Sequence, residues 1–112
     1  MTGPLSMDHY TINKEITKVS PGSYLLGRVS QMGQTTVFIP KYVGRSDQDV
    51  NERLKDHANF THFKYRYASS PKEAFLSECE LYHEHKSFII NRIHPNRPKV
   101  TNWKCPRCKE FG

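Results

Sequence analysis

The sequence predicts an α/β domain of the α+β type. Three observations carry that expectation: two β-leaning runs separated by a glycine turn, a later run alternating aromatic and polar residues, and two stretches that open with helix caps. At 112 residues the chain suits one domain with one core. Its residues are 36% hydrophobic and 25% charged, and its six Phe, six Tyr and one Trp set it apart from disordered chains.

Residues 1–20 are polar, carry Gly3 and Pro4 early and hold no sustained period, so they read as a flexible amino-terminal arm. From Ser23 to Val29 and from Thr35 to Gly44 the composition turns β-leaning, and Gly33 between the two runs is a turn signal, which predicts a hairpin. Pro40 marks an edge or a bulge in it, because proline cannot donate to a central ladder. Ser46-Asp47-Gln48-Asp49 offers several helix N-caps, and the helix is expected to reach about Ala58. Val50, Leu54 and Ala58 would form its buried stripe, with Arg53 and His57 sharing the face beside it. Phe60 to Tyr67 alternates in the manner of a half-buried strand with a basic outer side. Ser70, Pro71 and Glu73 form a capping box that starts a second helix, expected to run to about Lys86. Beyond Ser87, prolines at 95, 98 and 106 and sparse apolar residues predict little regular structure.

The formal charge is +6, and the stretch from Glu84 to Gly112 holds seven Lys or Arg against two Glu, so residues 92–112 read as a basic tail. Such a balance favours a polyanionic partner such as DNA. No run of about 18 apolar residues exists and no basic-then-apolar leader opens the chain, so a membrane partner and classical export are not expected. The expected location is intracellular, with cytoplasm and nucleoid or nucleus equally open.

Two constellations could carry chemistry. Cys79 and His83 are four apart on the second helix and share a face, while Cys105-x-x-Cys108 is a two-thiolate knuckle. Together they make a Cys3His set for a structural zinc, with His62, His85 and His94 as alternatives to His83. Such an ion would clip the tail back onto the helix and order a segment that has little core of its own. The second set is Tyr24, Tyr42, Arg45, Arg53, His57 and Glu78. It contains groups for proton transfer, positive charge for a phosphoryl transition state and a carboxylate for a divalent cation, which are the requirements of phosphodiester hydrolysis.

Gly22-Ser23-Tyr24-Leu25-Leu26, then Tyr42-Val43-Gly44-Arg45-Ser46, then Asn51 to His57, and Glu73-Ala74-Phe75-Leu76-Ser77-Glu78 in a helix, resemble the GIY-YIG nuclease family in order and spacing from about Gly22 to Asn91. Both name-giving triplets are altered conservatively. The resemblance implies a small three-stranded antiparallel sheet flanked by helices, over residues 21–91, that cuts DNA with one divalent cation. It implies that Tyr42 is a general base or water-positioning group with Tyr24 as its partner, that Arg53 contacts the scissile phosphate, and that His57 shares proton transfer. It further implies that Glu78 binds Mg2+ or Mn2+, with Glu80 a weaker alternative, and that Asn91 matches a later asparagine of the family. A tyrosine of ordinary pKa near ~10 is a poor base at neutral pH, so a cation must stand beside it, and Arg45 is placed in sequence for that role. The expected activity is therefore a metal-dependent DNA endonuclease. A targeting partner protein or self-association would supply its target choice. The alternatives are a non-catalytic nucleic-acid-binding module with a structural zinc and an interaction adaptor held by zinc.

Overall fold

The Ser23–Val29 and Thr35–Gly44 runs pair because a glycine stands where the chain must reverse. Strand β2 (Gly22–Met32) meets β3 (Thr35–Ser46) through Gly33 and Gln34, and Gly33 has φ 65°, a left-handed conformation that glycine adopts without steric cost. This computed structural model describes residues 1–91, 94–97 and 101–107. In the hairpin, Gly27 pairs with Pro40 and Leu26 with Tyr42, so Lys41 is an extra residue and the expected bulge lies directly before Tyr42. The aromatic run forms β4 (His62–Tyr67), antiparallel to β2 on the side away from β3. Residues 22–27 of β2 are all buried, and both faces of that strand are covered, which is why its sequence reads as a continuous run rather than an alternation.

The sheet has four strands, not three. Strand β1 (Thr2–Ser6) lies within the stretch expected to be a flexible arm and pairs antiparallel with β4, giving the order β1-β4-β2-β3. Its backbone covers an edge that would otherwise expose unpaired β4 groups. An edge strand of mostly exposed residues needs no apolar period and tolerates Pro4, so it left little signal in the sequence. Helix α1 (His9–Glu15) follows, with the Asp8 side chain accepting from the Thr11 amide at 2.8 Å and Ile12 and Ile16 buried beneath it.

Helix α2 (Val50–Lys55) is shorter than expected. Asp49 is its N-cap, accepting from the Asn51 amide, and Val50 and Leu54 are buried, but Ala58 is exposed beyond its end. Asp56, His57 and Asn59 are weak helix formers, and the chain turns there through bonds from the Asp56 and His57 amides to Arg53 and Leu54. Helix α3 (Pro71–His85) starts at the expected cap, where the Ser70 hydroxyl accepts from the Glu73 amide at 3.1 Å.

Tyr24, Leu26 and Phe63 pack with Val50 and Leu54 of α2 and Ile12 of α1 on one side of the sheet. Leu25 and Val43 pack with Leu81 of α3 and Ile89 in a second cluster. No helix among the described residues is long and apolar enough to cross a membrane.

The close approach of β3 to Tyr24 makes Gly44 a sensitive position. A Cβ there would stand 2.5 Å from the Tyr24 ring, well inside contact distance. Gly44→Ala is expected to lower unfolding stability by about 1–3 kcal/mol through overpacking, read from urea denaturation; an unchanged midpoint would show that the ring moves aside freely.

Candidate functional site

A cleft of about 430 Å3 opens where the end of β3, the start of α2 and the middle of α3 meet. Tyr24, Tyr42, Arg45, Arg53 and Glu78 line it together, although they come from β2, β3, α2 and α3. His57 stands behind them. Its Nε2 is 2.9 Å from the Tyr24 hydroxyl, and its ring is 5.1 Å from that of Tyr42. The six residues singled out in the sequence thus converge on one place.

Their electrical states follow from their surroundings. Tyr24 is 1% exposed, and burial drives its pKa far above the usual phenol range, against the pull of the neighbouring Arg53 charge. It therefore stays a protonated donor at neutral pH. His57 is shifted down, first by burial and then by the Arg53 charge, so its ring is neutral near pH 7. In the His57 tautomer that carries its proton on Nδ1, the protonated Tyr24 O–H donates and His57 Nε2 accepts.

Arg45 lies in the cleft with both tyrosines, and its guanidinium is held by two carboxylates. Its Nη1 donates to Glu78 Oε1 at 2.6 Å and its Nε to Asp47 Oδ1 at 2.9 Å, with the guanidinium over the Phe75 ring. The cation nearest in effect to Tyr24 is Arg53, which is exposed and has no ion pair among the described residues. Glu78 is 8% exposed, and burial pushes its carboxyl upward while Arg45 pulls it back. Asp47 had read as a cap candidate; Asp49 took that role and left Asp47 for Arg45. Asn91 holds β3 in place: its Oδ1 accepts from the Val43 amide and its Nδ2 donates to the Val43 carbonyl, both at 2.9 Å. Glu80 sits on another side of α3, 3.4 Å from Arg107.

A second cluster forms behind the cleft. Ligand atoms of Cys79, His94 and Cys105 lie within 4.8 Å of one another, so these three could hold a metal such as zinc. Both thiols are buried and unbridged, and burial together with the neighbouring Cys105 raises the Cys79 pKa strongly, so a metal entering there would displace protons. The imidazole brought into the cluster is that of His94 rather than His83. The His83 ring instead lies 5.2 Å from it, tilted by 58°. Cys108 lies outside the described residues. Asn96, which the sequence did not single out, also lines the cleft; no local pattern marks it, because its place depends on the path of the tail.

His57 gives a pH prediction. Its pKa is lowered from 6.5 in the folded chain, so the unfolded chain binds more protons as pH falls below that value and stability drops with it. His57→Gln should flatten this acid limb, measured as the melting temperature between about pH 7 and pH 5; an equally steep limb in the variant would assign it to other groups.

Comparison with known proteins gives no significant match: no family model, no curated protein and no solved structure matches the chain.

Proposed function

We propose that the protein is a divalent-metal-dependent DNA endonuclease that hydrolyses phosphodiester bonds in the manner of the GIY-YIG nucleases it resembles. The observation that supports this most is the Tyr24–His57 pair at 2.9 Å at one end of a polar cleft that also holds Tyr42, Arg53 and Glu78. That pair is a ready route for a proton: an attacking water gives its proton to the Tyr24 oxygen as the Tyr24 hydrogen passes to His57 Nε2. Tyr42 lines the same wall and orients the water. Arg53, exposed at the cleft, takes the phosphate, and its planar fork can hold two oxygens at once.

The residues present fit a hard divalent cation. Glu78 offers a carboxylate inside a polar cleft, and Mg2+ or Mn2+ typically takes one or two carboxylates and completes its shell with water and substrate phosphate. When bound, such an ion would offset charge on the phosphoryl oxygens. The Cys79, His94 and Cys105 cluster is read as a structural zinc site, with Cys108 as the fourth ligand by its spacing from Cys105. DNA is the partner that the basic charge favours, and target choice falls to a partner protein or to self-association.

One observation favours a second reading, a nucleic-acid-binding module without catalysis. The Arg45–Glu78 ion pair at 2.6 Å, nearly enclosed, satisfies the carboxylate without any metal. The two readings part on cleavage of supercoiled plasmid with Mg2+, Mn2+ or EDTA. For the enzyme, Glu78→Gln and Arg53→Ala should each lower cleavage by about 100-fold or more, with Glu78→Gln retaining DNA binding. Metal-independent nicking would overturn the role of the divalent cation, and no cleavage by the unaltered chain while binding persists would transfer the conclusion to the module.

A further inference from the structure

We propose that the metal-clipped tail forms a working wall of the cleft, with His94 as a positioning residue that acts through Asn96, and Asn96 as a contact for the DNA backbone. This rests on the nuclease reading for its substrate and on the Cys–His cluster for its geometry.

The link is short and made of three connections. The His94 Nδ1 donates to the Pro95 carbonyl at 2.9 Å, which leaves Nε2 as the nitrogen to ligate a metal. A backbone carbonyl on the other nitrogen is the usual way a ligating imidazole is oriented. That carbonyl belongs to the peptide that joins Pro95 to Asn96, so an ion on Nε2 fixes the plane from which Asn96 departs. Pro95 is buried and its ring fixes one of the few torsions between the two side chains. Asn96 is exposed and lines the same cleft as Arg53 and Glu78.

The other end of the clip is equally close to the chemistry. Cys79 follows Glu78 on α3, and neighbours on a helix diverge by about 100°. One turn of helix thus sends Glu78 to the cleft and Cys79 to the tail. Residues 94–97 and 101–105 contain no helix or strand, so no backbone ladder holds them. Among the contacts that hold them are the packing of Cys105 against Phe75 and Cys79, the Trp103 ring 6.2 Å from that of Phe75, and the Tyr82 ring 5.4 Å from that of His94. An ion bonded to Cys79, His94 and Cys105 would join these separate contacts at one point. An amide at the mouth of a cleft beside an exposed arginine can donate to a phosphate oxygen, and losing one such bond weakens binding by about tenfold.

The test uses the full chain in five forms: unaltered, Asn96→Ala, Asn96→Ser, His94→Ala, and His94→Ala combined with Asn96→Ala. Zinc per chain is measured by elemental analysis, tail protection by trypsin digestion, and DNA affinity with Glu78→Gln added to each form so that cleavage does not interfere. Expected are one zinc per unaltered chain, full zinc and protection in Asn96→Ala, and reduced zinc with faster digestion in His94→Ala. DNA binding should weaken about tenfold in Asn96→Ala, less in Asn96→Ser, and no further when His94→Ala is combined with Asn96→Ala. In the cleaving background the loss should fall on KM and leave kcat nearly unchanged. DNA affinity indifferent to Asn96 would overturn this inference and leave the nuclease reading standing. A chain that binds no DNA in any form would overturn both. A zinc-free chain with a Cys79–Cys105 disulfide would overturn the metal clip and the role given to His94, since a covalent bond would then tie the tail to α3, whatever the cleavage result.

Discussion

The passage of the Tyr24 ring across Gly44 is the constraint on which the rest of the site depends. β2 is paired on both sides and covered on both faces, so a tyrosine in it has no route to solvent except along the sheet surface. It can lie against β3 only where that strand presents no side chain, and a Cβ at Gly44 would stand 2.5 Å from the ring. The bare backbone carries the phenol to His57 and the cleft. The glycine of the second motif is thus a steric requirement of the tyrosine of the first. Asn91 supports the same point from outside, since its two bonds to Val43 fix the segment between Tyr42 and Gly44. The bulge at Lys41 lies just upstream, where it re-aims the residue that follows.

Helix α3 serves two purposes with adjacent residues. Its start is fixed by Ser70 and Pro71, and the periodicity of the helix then determines that Glu78 and Cys79 face different neighbours. Glu78 is buried, and a buried carboxylate without a partner is strongly unfavourable; Arg45 meets it at 2.6 Å and is itself shared with Asp47. The Phe75 ring under the guanidinium closes the arrangement from below. Cys79 faces the packing of Phe75, Cys105 and Trp103, so the same helix turn joins the cleft to the tail.

What was legible in the sequence was what short-range chemistry determines. The hairpin, the Pro40 bulge and the α3 cap each rest on a few neighbouring residues with fixed backbone preferences, and they formed where those residues stand. The convergence of Tyr24, Tyr42, Arg53, His57 and Glu78 was legible only as a pattern of spacings, since no local property of an isolated tyrosine or arginine distinguishes a site from a surface. β1 was missed because an exposed edge strand needs no apolar alternation. α1 was missed although Asp8 as a cap and Ile12 with Ile16 at helical spacing were there to read. The choice of His94 over His83 could not be read from helical spacing. Cys79 and His83 do share a face, but the third ligand is set by where the tail returns, a long-range matter. Asn96 is the extreme case, placed entirely by that return.

The charge arrangement gives the cleft its chemical direction. Arg45 is matched by two carboxylates, so its charge is largely neutralised within the protein. Arg53 lowers the pKa of His57 and opposes the raised pKa of Tyr24, and it is exposed where an anion can reach it. One exposed guanidinium can balance one phosphate, but the extra negative charge that develops during hydrolysis needs a further counter-charge. Within the cleft Arg45 is the other arginine, and its donors are already directed at Glu78 and Asp47. On the nuclease reading, a divalent cation held by Glu78 would meet that need and would offset the cost of burying the carboxylate. On the binding-module reading the arrangement is already balanced as it stands. The Arg45–Glu78 pair is therefore the point at which the two functions diverge, because an enzyme must partly give up the contact that a binding module would keep.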